Sequence, residues 1–162
     1  MSTQFRVGSG VDVHAFGPGD SLVLGGVRIP HSRGVIAHSD GDVLLHALVD
    51  ALLGAAGLGD LGEHFPDSDP QWRGADSRQF VAAALAMLER RSFRVVNVDL
   101  TLLAQQPRLA PWREAIRHAI ATLLGVELQD VNLKATTTEH LGFIGRNEGL
   151  MAMATVLLSR DA

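Results

Sequence analysis

The sequence predicts an α+β fold, a single domain over residues 1–162 in which a mixed β-sheet carries helices on one face. Three observations point there. Segments that alternate with a period of two are interspersed with three apolar runs of helical length. The last of the strand-like segments, residues 149–159, is nearly apolar on both sides. Leu150, Ala152, Ala154, Val156 and Leu158 face one way, and Met151, Met153, Thr155 and Leu157 the other. A strand of that kind must be covered on both faces. Three helices suffice for one side of a small sheet, so the other side is expected to meet either another copy of the chain or a fourth layer within the subunit.

In order along the chain, residues 5–14 alternate loosely and read as a first strand. Residues 22–24 and 27–29 flank Gly25-Gly26, a pair that supplies the positive φ of a two-residue hairpin turn. Ser39 followed by Asp42 resembles a capping box and opens an apolar helix ending near Gly54 or Gly57. Residues 57–74 form a loop rich in Gly, Asp and Pro. Asp76 or Ser77 then caps a helix reaching about Arg91. In the strand at 95–103, Val96, Val98, Leu100 and Leu102 fall on one face, and Asn97, Asp99 and Thr101 on the other. Pro111 suits the first turn of a helix that stops at Gly125. Residues 131–137 complete the set as a further strand. No repeat, low-complexity segment or linker divides the chain.

Composition narrows the function classes. Of 162 residues 46% are hydrophobic and 20% charged, which describes a soluble globular protein. A net charge of −4 argues against nucleic-acid binding, which needs a basic face. No apolar run is long enough to span a bilayer, and residues 1–6 lack a signal core or transit composition. A cytoplasmic location is therefore expected. With no cysteine, any metal must be held by His, Asp, Glu or water. Thirteen arginines stand beside a single lysine, Lys134.

Asp12 and His14 lie two apart on a strand, so their side chains converge on one face, a spacing that suits zinc. His46 stands in an otherwise apolar helix with Asp42 and Asp50 four residues to either side. It reads either as a core histidine satisfied by a carboxylate or as a third ligand whose second ring nitrogen a carboxylate holds. Residues 38–42, His-Ser-Asp-Gly-Asp, precede that helix and form either an anion site or a simple N-cap. The acidic loop at 60–69 reads as solvated charge or as a hydroxyl-binding lid. Lys134, Thr136, Thr137, Thr138 and Glu139 run into a Gly-rich stretch that could hold a diphosphate, with Glu139 on a hard cation; Thr is equally a common strand former. Gly8-Ser9-Gly10 does not extend to a dinucleotide fingerprint, because its last glycine would fall at Val13.

Taken together, these segments resemble the 2-C-methyl-D-erythritol 2,4-cyclodiphosphate synthase family. The matching stretches are residues 10–16 (GVDVHAF), 37–47 (AHSDGDVLLHA), 60–62, 65–69 (FPDSD), 97–99 and 134–139 (KATTTE), continuing to Gly149. They cover essentially the whole chain in order. The resemblance implies Zn2+ on Asp12, His14 and His46, with Val13 beside the substrate. It implies that His38 and Thr137 act on the reacting phosphates, with Ser39 next to them. Asp60, Leu61, Gly62, Phe65, Pro66, Asp67, Ser68 and Asp69 would contact the methylerythritol. Ala104, Gln105, Gln106, Pro107, Arg108, Leu109 and Ala110 would form the cytidine pocket. Thr136, Thr137, Thr138 and Glu139 would grip the phosphates, and Glu139 would also hold Mg2+ or Mn2+. Phe143 and Arg146 complete the binding positions. The segment departs from the family pattern at Gln106 and Arg108.

The implied reaction takes a CDP-methylerythritol 2-phosphate to the cyclic diphosphate with loss of CMP. The implied assembly is a homotrimer with active sites between subunits and the sheet's second face on the axis. Arg146 and Glu148 would line that axis, where an isoprenoid diphosphate is one conceivable further ligand. Two rivals remain on the sequence. A metal-dependent phosphohydrolase would give a linear rather than a cyclic product, and a zinc-stabilised nucleotide-binding scaffold would bind without turnover.

Overall fold

The computed structural model describes residues 2–161. Its main sheet has five strands in the order β4-β1-β7-β5-β6. These are β1 (Thr3–Gly17), β4 (Gly34–Val35), β5 (Arg94–Leu103), β6 (Val131–Thr136) and β7 (Gly149–Asp161). β7 is antiparallel to both β1 and β5, whereas β5 and β6 are parallel. The sheet is therefore mixed, as expected. The hairpin β2 (Ser21–Leu24) and β3 (Val27–Pro30) stands apart as a two-stranded sheet. Its turn residues Gly25 and Gly26 have φ of 61° and 79°, the left-handed pair that two-residue hairpins require.

Three longer helices, α1 (Val43–Ala56), α3 (Arg78–Glu89) and α4 (Arg113–Leu124), pack on one side. Two short ones, α2 (Leu61–His64) and α5 (Gly142–Gly145), sit in the connections. α1 ends at Gly57 in the left-handed conformation, and α4 at Gly125 in the same way. Twelve of the fourteen residues of α1 are buried, so it is the central helix of the core. Residues Leu150, Ala152, Ala154, Val156 and Leu158 of β7 are all buried under the helices. The opposite face is open in the single chain: Phe5, Val7, Val11, Val13 and Met153 are exposed.

α1 reaches β1 unusually closely. A Cβ on Gly10 would lie 1.9 Å from the carbonyl oxygen of Ala47, and one on Gly8 would lie 2.1 Å from that of Ala51. The Gly8-Ser9-Gly10 segment is thus a seat for a helix backbone.

Several expectations need correction. β1 extends beyond residues 5–14 at both ends, and β4 was not foreseen. The N-cap of α1 is Asp42 rather than Ser39; its carboxylate accepts from the Leu45 N–H at 3.0 Å. The same carboxylate accepts from Gly25 and Gly26 at 2.9 and 2.7 Å, which ties the hairpin turn to the helix. Ser77 precedes α3, but its hydroxyl makes no cap and points elsewhere. Val96 does not share the core face of Val98, Leu100 and Leu102. A bulge between Val95 and Asn97 puts Val95 against the core instead.

The helix seat gives a direct test. Gly10→Ala is expected to lower the unfolding free energy by about 2 kcal/mol or more, because neither backbone can yield easily. Gly54→Ala, on the exposed side of the same helix with its nearest neighbour 3.9 Å away, is expected to raise it by roughly 0.5–1 kcal/mol. Urea denaturation of both variants checks the pair, and a Gly10→Ala protein as stable as the parent would contradict the contact.

Candidate active site

β1 carries Asp12 and His14 on the face that α1 covers, in the same row as Gly8 and Gly10. Because the helix lies so close, His46 from its first turns meets both. His14 Nε2 is 3.0 Å from Asp12 Oδ2, His46 Nδ1 is 3.1 Å from the same oxygen, and the two ring nitrogens are 3.3 Å apart. One ligand atom from each residue lies within 4.8 Å of the others, the one such group among the described residues. One oxygen and two nitrogens converging in this way fit a tetrahedral metal with a fourth position open.

The electrostatics agree. Burial alone would raise the Asp12 pKa, but hydrogen bonds and charge from His14 and His46 outweigh it and bring the carboxyl down to about 2. Burial works against a charged His46, yet the Asp12 contact, reinforced by Asp42 and Asp40, raises its pKa above the ordinary 6.5. Asp42 behaves in the opposite way: burial pushes it up to about 6 against three backbone donors.

The carboxylates flanking His46 do not hold its second nitrogen. Asp42 serves the hairpin turn and the helix cap, and Asp50 accepts from the Leu61 N–H at 2.7 Å. His46 Nε2 instead meets Ser77 Oγ at 2.8 Å and Ser39 Oγ at 3.2 Å. The helix start is therefore capped from within, with Gly41 N bound to Ser39 Oγ and Asp42 N to Asp40. Next to this cluster, His38 Nε2 is buried without a partner.

A second feature lies on the far strands. A cavity of about 510 Å³ is lined by all of residues 104–110 and by Thr136, Thr137 and Glu139. The Gln105 side chain accepts from Thr138 N at 3.2 Å and lies 3.3 Å from His140 Nδ1, which joins the 104–110 segment to the Thr loop. Glu139 and His140 both have positive φ (52° and 63°), a local turn that exposes their side chains at the cavity. Arg113 and His140 also line the cavity and were missed in the sequence; Arg113 keeps a buried Nε without a partner. Only a prediction of where α4 begins relative to the strand ends could have found Arg113.

The other sequence candidates are distributed around these two features. Lys134 does not line the cavity; it pairs with Asp99 at 2.7 Å on the exposed side of β6. Asp60 and Asp69 cap short helical turns, at Glu63 N and Gln71 N. Phe65 is buried and packs against Phe80 in a tilted pair, ring centres 4.7 Å apart, while Leu61 and Pro66 are half-buried and Gly62, Asp67 and Ser68 are exposed. Phe143 and Arg146 are exposed, outside the cavity lining, with Arg146 paired to Glu148 at 2.8 Å. Val13 faces the open side of the sheet.

The metal-ligating group and the cavity stand at the same end of the sheet. Val13 pairs with Met151, Met151 with Leu103, and Leu103 with Thr136. Three strand spacings separate the first from the last, roughly 14 Å.

Residues 5–159 match the YgbB family. A 2-C-methyl-D-erythritol 2,4-cyclodiphosphate synthase of Xanthomonas axonopodis pv. citri is 57% identical over all of this chain and 98% of its own length. Among solved structures, the bifunctional IspDF of Campylobacter jejuni superposes with a TM-score of 0.95 at 44% identity, covering 99% of this chain and 43% of that one. A CDP complex of Plasmodium falciparum IspF superposes with a TM-score of 0.86 at 32% identity over the full length of both.

The charge pattern at the metal-ligating group predicts how the metal-free protein responds to pH. The lowered Asp12 pKa contributes stability that is complete above about 4 and lost as pH falls toward 2. The raised His46 pKa contributes stability that is complete below 6.5 and lost as pH rises through the folded value. Thermal melts of chelator-treated protein should therefore peak between about pH 4 and 6.5 relative to Asp12→Asn, and zinc should remove the alkaline fall. A difference between the two proteins that is flat with pH would contradict the coupling.

Proposed function

The chain belongs to the YgbB family, and from that premise we propose how it works as a 2-C-methyl-D-erythritol 2,4-cyclodiphosphate synthase. It converts 4-diphosphocytidyl-2-C-methyl-D-erythritol 2-phosphate to the 2,4-cyclodiphosphate, the product for which the enzymes it resembles are named, and releases CMP. The observation that carries the mechanism is the Asp12, His14 and His46 group at the same sheet end as the cavity lined by residues 104–110.

An oxygen of the 2-phosphate attacks the β-phosphorus of the diphosphate; the bond to the α-phosphate oxygen breaks, and CMP departs with that electron pair. The nucleophile is already an anion, so no strong base is needed and the task is to position charged groups. Asp12, His14 and His46 are the residues that would hold Zn2+, which supplies Lewis-acid polarisation of a phosphoryl oxygen. His38, with its unpartnered Nε2, and Thr137, at the cavity edge, would steady the reacting phosphates, with Ser39 beside them. Glu139 would hold Mg2+ or Mn2+, which would supply positive charge to the phosphates. The segment 104–110 would take the cytidine and the 60–69 loop the methylerythritol. Holding the reactants in line can remove several kcal/mol of orientational cost.

The complete site would form between copies of the chain in a homotrimer. Two observations support this: the open sheet face carries Phe5, Val7, Val11, Val13 and Met153, and the two halves of the site are separated across the sheet of one chain. A closed cyclic assembly would cover the apolar face and could bring the metal-ligating half of one copy to the cavity of the next.

Turnover with product identified by mass is the first test. A cyclic diphosphate with CMP, lost on chelation and restored by zinc, is expected; a linear product would favour the phosphohydrolase, and binding without turnover the scaffold. His46→Ala should abolish zinc retention and turnover while the protein stays folded. Glu139→Gln should keep zinc but lose most of the magnesium- or manganese-dependent rate. His46→Ala and Thr137→Ala chains, each inactive alone, should regain partial activity when co-assembled. An active monomer in light scattering would end the intersubunit arrangement.

A further inference from the structure

The hydrogen bonds behind His46 have a defined direction. Asp40, in the loop ahead of α1, accepts from the backbone N–H of Ser77 at 3.0 Å and from that of Asp42 at 3.1 Å. Its Oδ1 also receives the hydroxyl proton of Ser77 in a short contact. Both Asp40 oxygens thus act as acceptors of backbone N–H groups, and the single Ser77 proton is committed to Asp40. Ser77 Oγ can then only accept from its other neighbour, His46 Nε2, at 2.8 Å. Were Nε2 unprotonated, two lone pairs would face each other at that distance in a fully buried place. The Ser39 hydroxyl, which accepts from Gly41 N, lies farther away at 3.2 Å.

From this we infer that Asp40 and Ser77 are positioning residues for the metal site: they fix His46 as the Nε2–H tautomer and present the Nδ1 lone pair to the place where Asp12 and His14 converge. The inference rests on the metal reading above. It also explains why Ser77 leaves α3 without a side-chain cap: its hydroxyl is used in the relay. Ser77 belongs to the start of α3 and Asp40 to the approach to α1, so ligand orientation depends on how these two helix starts are joined. The loop between them is clamped further by Asp40 N donating to Ala75 O at 3.0 Å and Gly74 N to His38 O at 2.7 Å. The partner of a metal-bound histidine usually fixes its tautomer and its basicity, and removing it typically weakens metal binding about 10–100-fold.

The test compares zinc dissociation constants, by chelator competition, for the parent protein and for Ser77→Ala, Ser77→Thr and Asp40→Asn. Ser77→Ala and Asp40→Asn should bind zinc about 10–100-fold more weakly with unchanged circular dichroism, and Ser77→Thr, which keeps the hydroxyl, should recover most of the affinity. A folded Ser77→Ala protein with parental zinc affinity would overturn the inference while leaving the metal reading intact. A parent protein that binds no zinc would overturn both. A second measurement needs no variant: nitrogen NMR of the parent protein should find a proton on His46 Nε2 that exchanges slowly with water. An unprotonated Nε2 would overturn the proposal.

Discussion

The closeness of one helix to one strand determines much of this molecule. Where Gly8 and Gly10 lack side chains, the backbone of α1 settles almost onto β1, with Ala47 O and Ala51 O occupying the space a Cβ would need. That approach brings His46, a helix residue, into contact with Asp12 and His14, two strand residues. An ordinary helix-on-sheet distance would leave the imidazole short of the carboxylate. The metal-ligating group is thus a product of core packing, and the apolar burial that holds α1 in place also holds the ligands together.

Two buried or half-buried aspartates show how context divides one side-chain type into two roles. Asp12 has two imidazoles beside it and stays ionised well into acid. Asp42 has only backbone donors and a low-dielectric setting, and its pKa climbs toward neutrality. The first carboxylate is suited to sharing a cation. The second is a structural clip: it fastens the hairpin turn to the beginning of α1 and holds the polar segment from His38 to Asp42 in place.

Much of this was legible in the sequence, for identifiable reasons. Period-two alternation gave β5, β6 and β7, and left-handed glycines marked the ends of α1 and α4, because both signals are local. The two-faced apolarity of β7 calls for cover on both sides, and the chain's own helices supply only one, leaving Val11, Val13 and Met153 exposed on the other. Asp12 and His14 can be paired from strand geometry alone, whereas His46 is legible only as a core histidine or a third ligand, and the resemblance decides between the two, since nothing local links residues 32 or more apart. The bulge at Val96 escaped because apolar residues occupy both 95 and 96, so the pattern does not say which faces inward. Of the two cap candidates before α3, the Asp76 carboxylate accepts from Arg78 N at 2.9 Å, whereas the Ser77 hydroxyl is drawn to Asp40 and His46 across the fold. Lys134 was misread for a similar reason: its partner Asp99 sits on the neighbouring strand, at a register no local pattern reveals.

The pairing of β1 with β7 sets Thr3 opposite Asp161, so the first and last strands of the chain leave the sheet side by side. His14 lies eleven residues along the same strand, about 35 Å from that exit at an ordinary strand rise. Thr3 and Asp161 therefore lie at the pole remote from the metal-ligating group. A protein module tethered there, at either end, would hang clear of substrate traffic, and a short linker joining the two ends would span only neighbouring strands. The sheet that assembles the reactive end so tightly leaves its opposite end free for attachment.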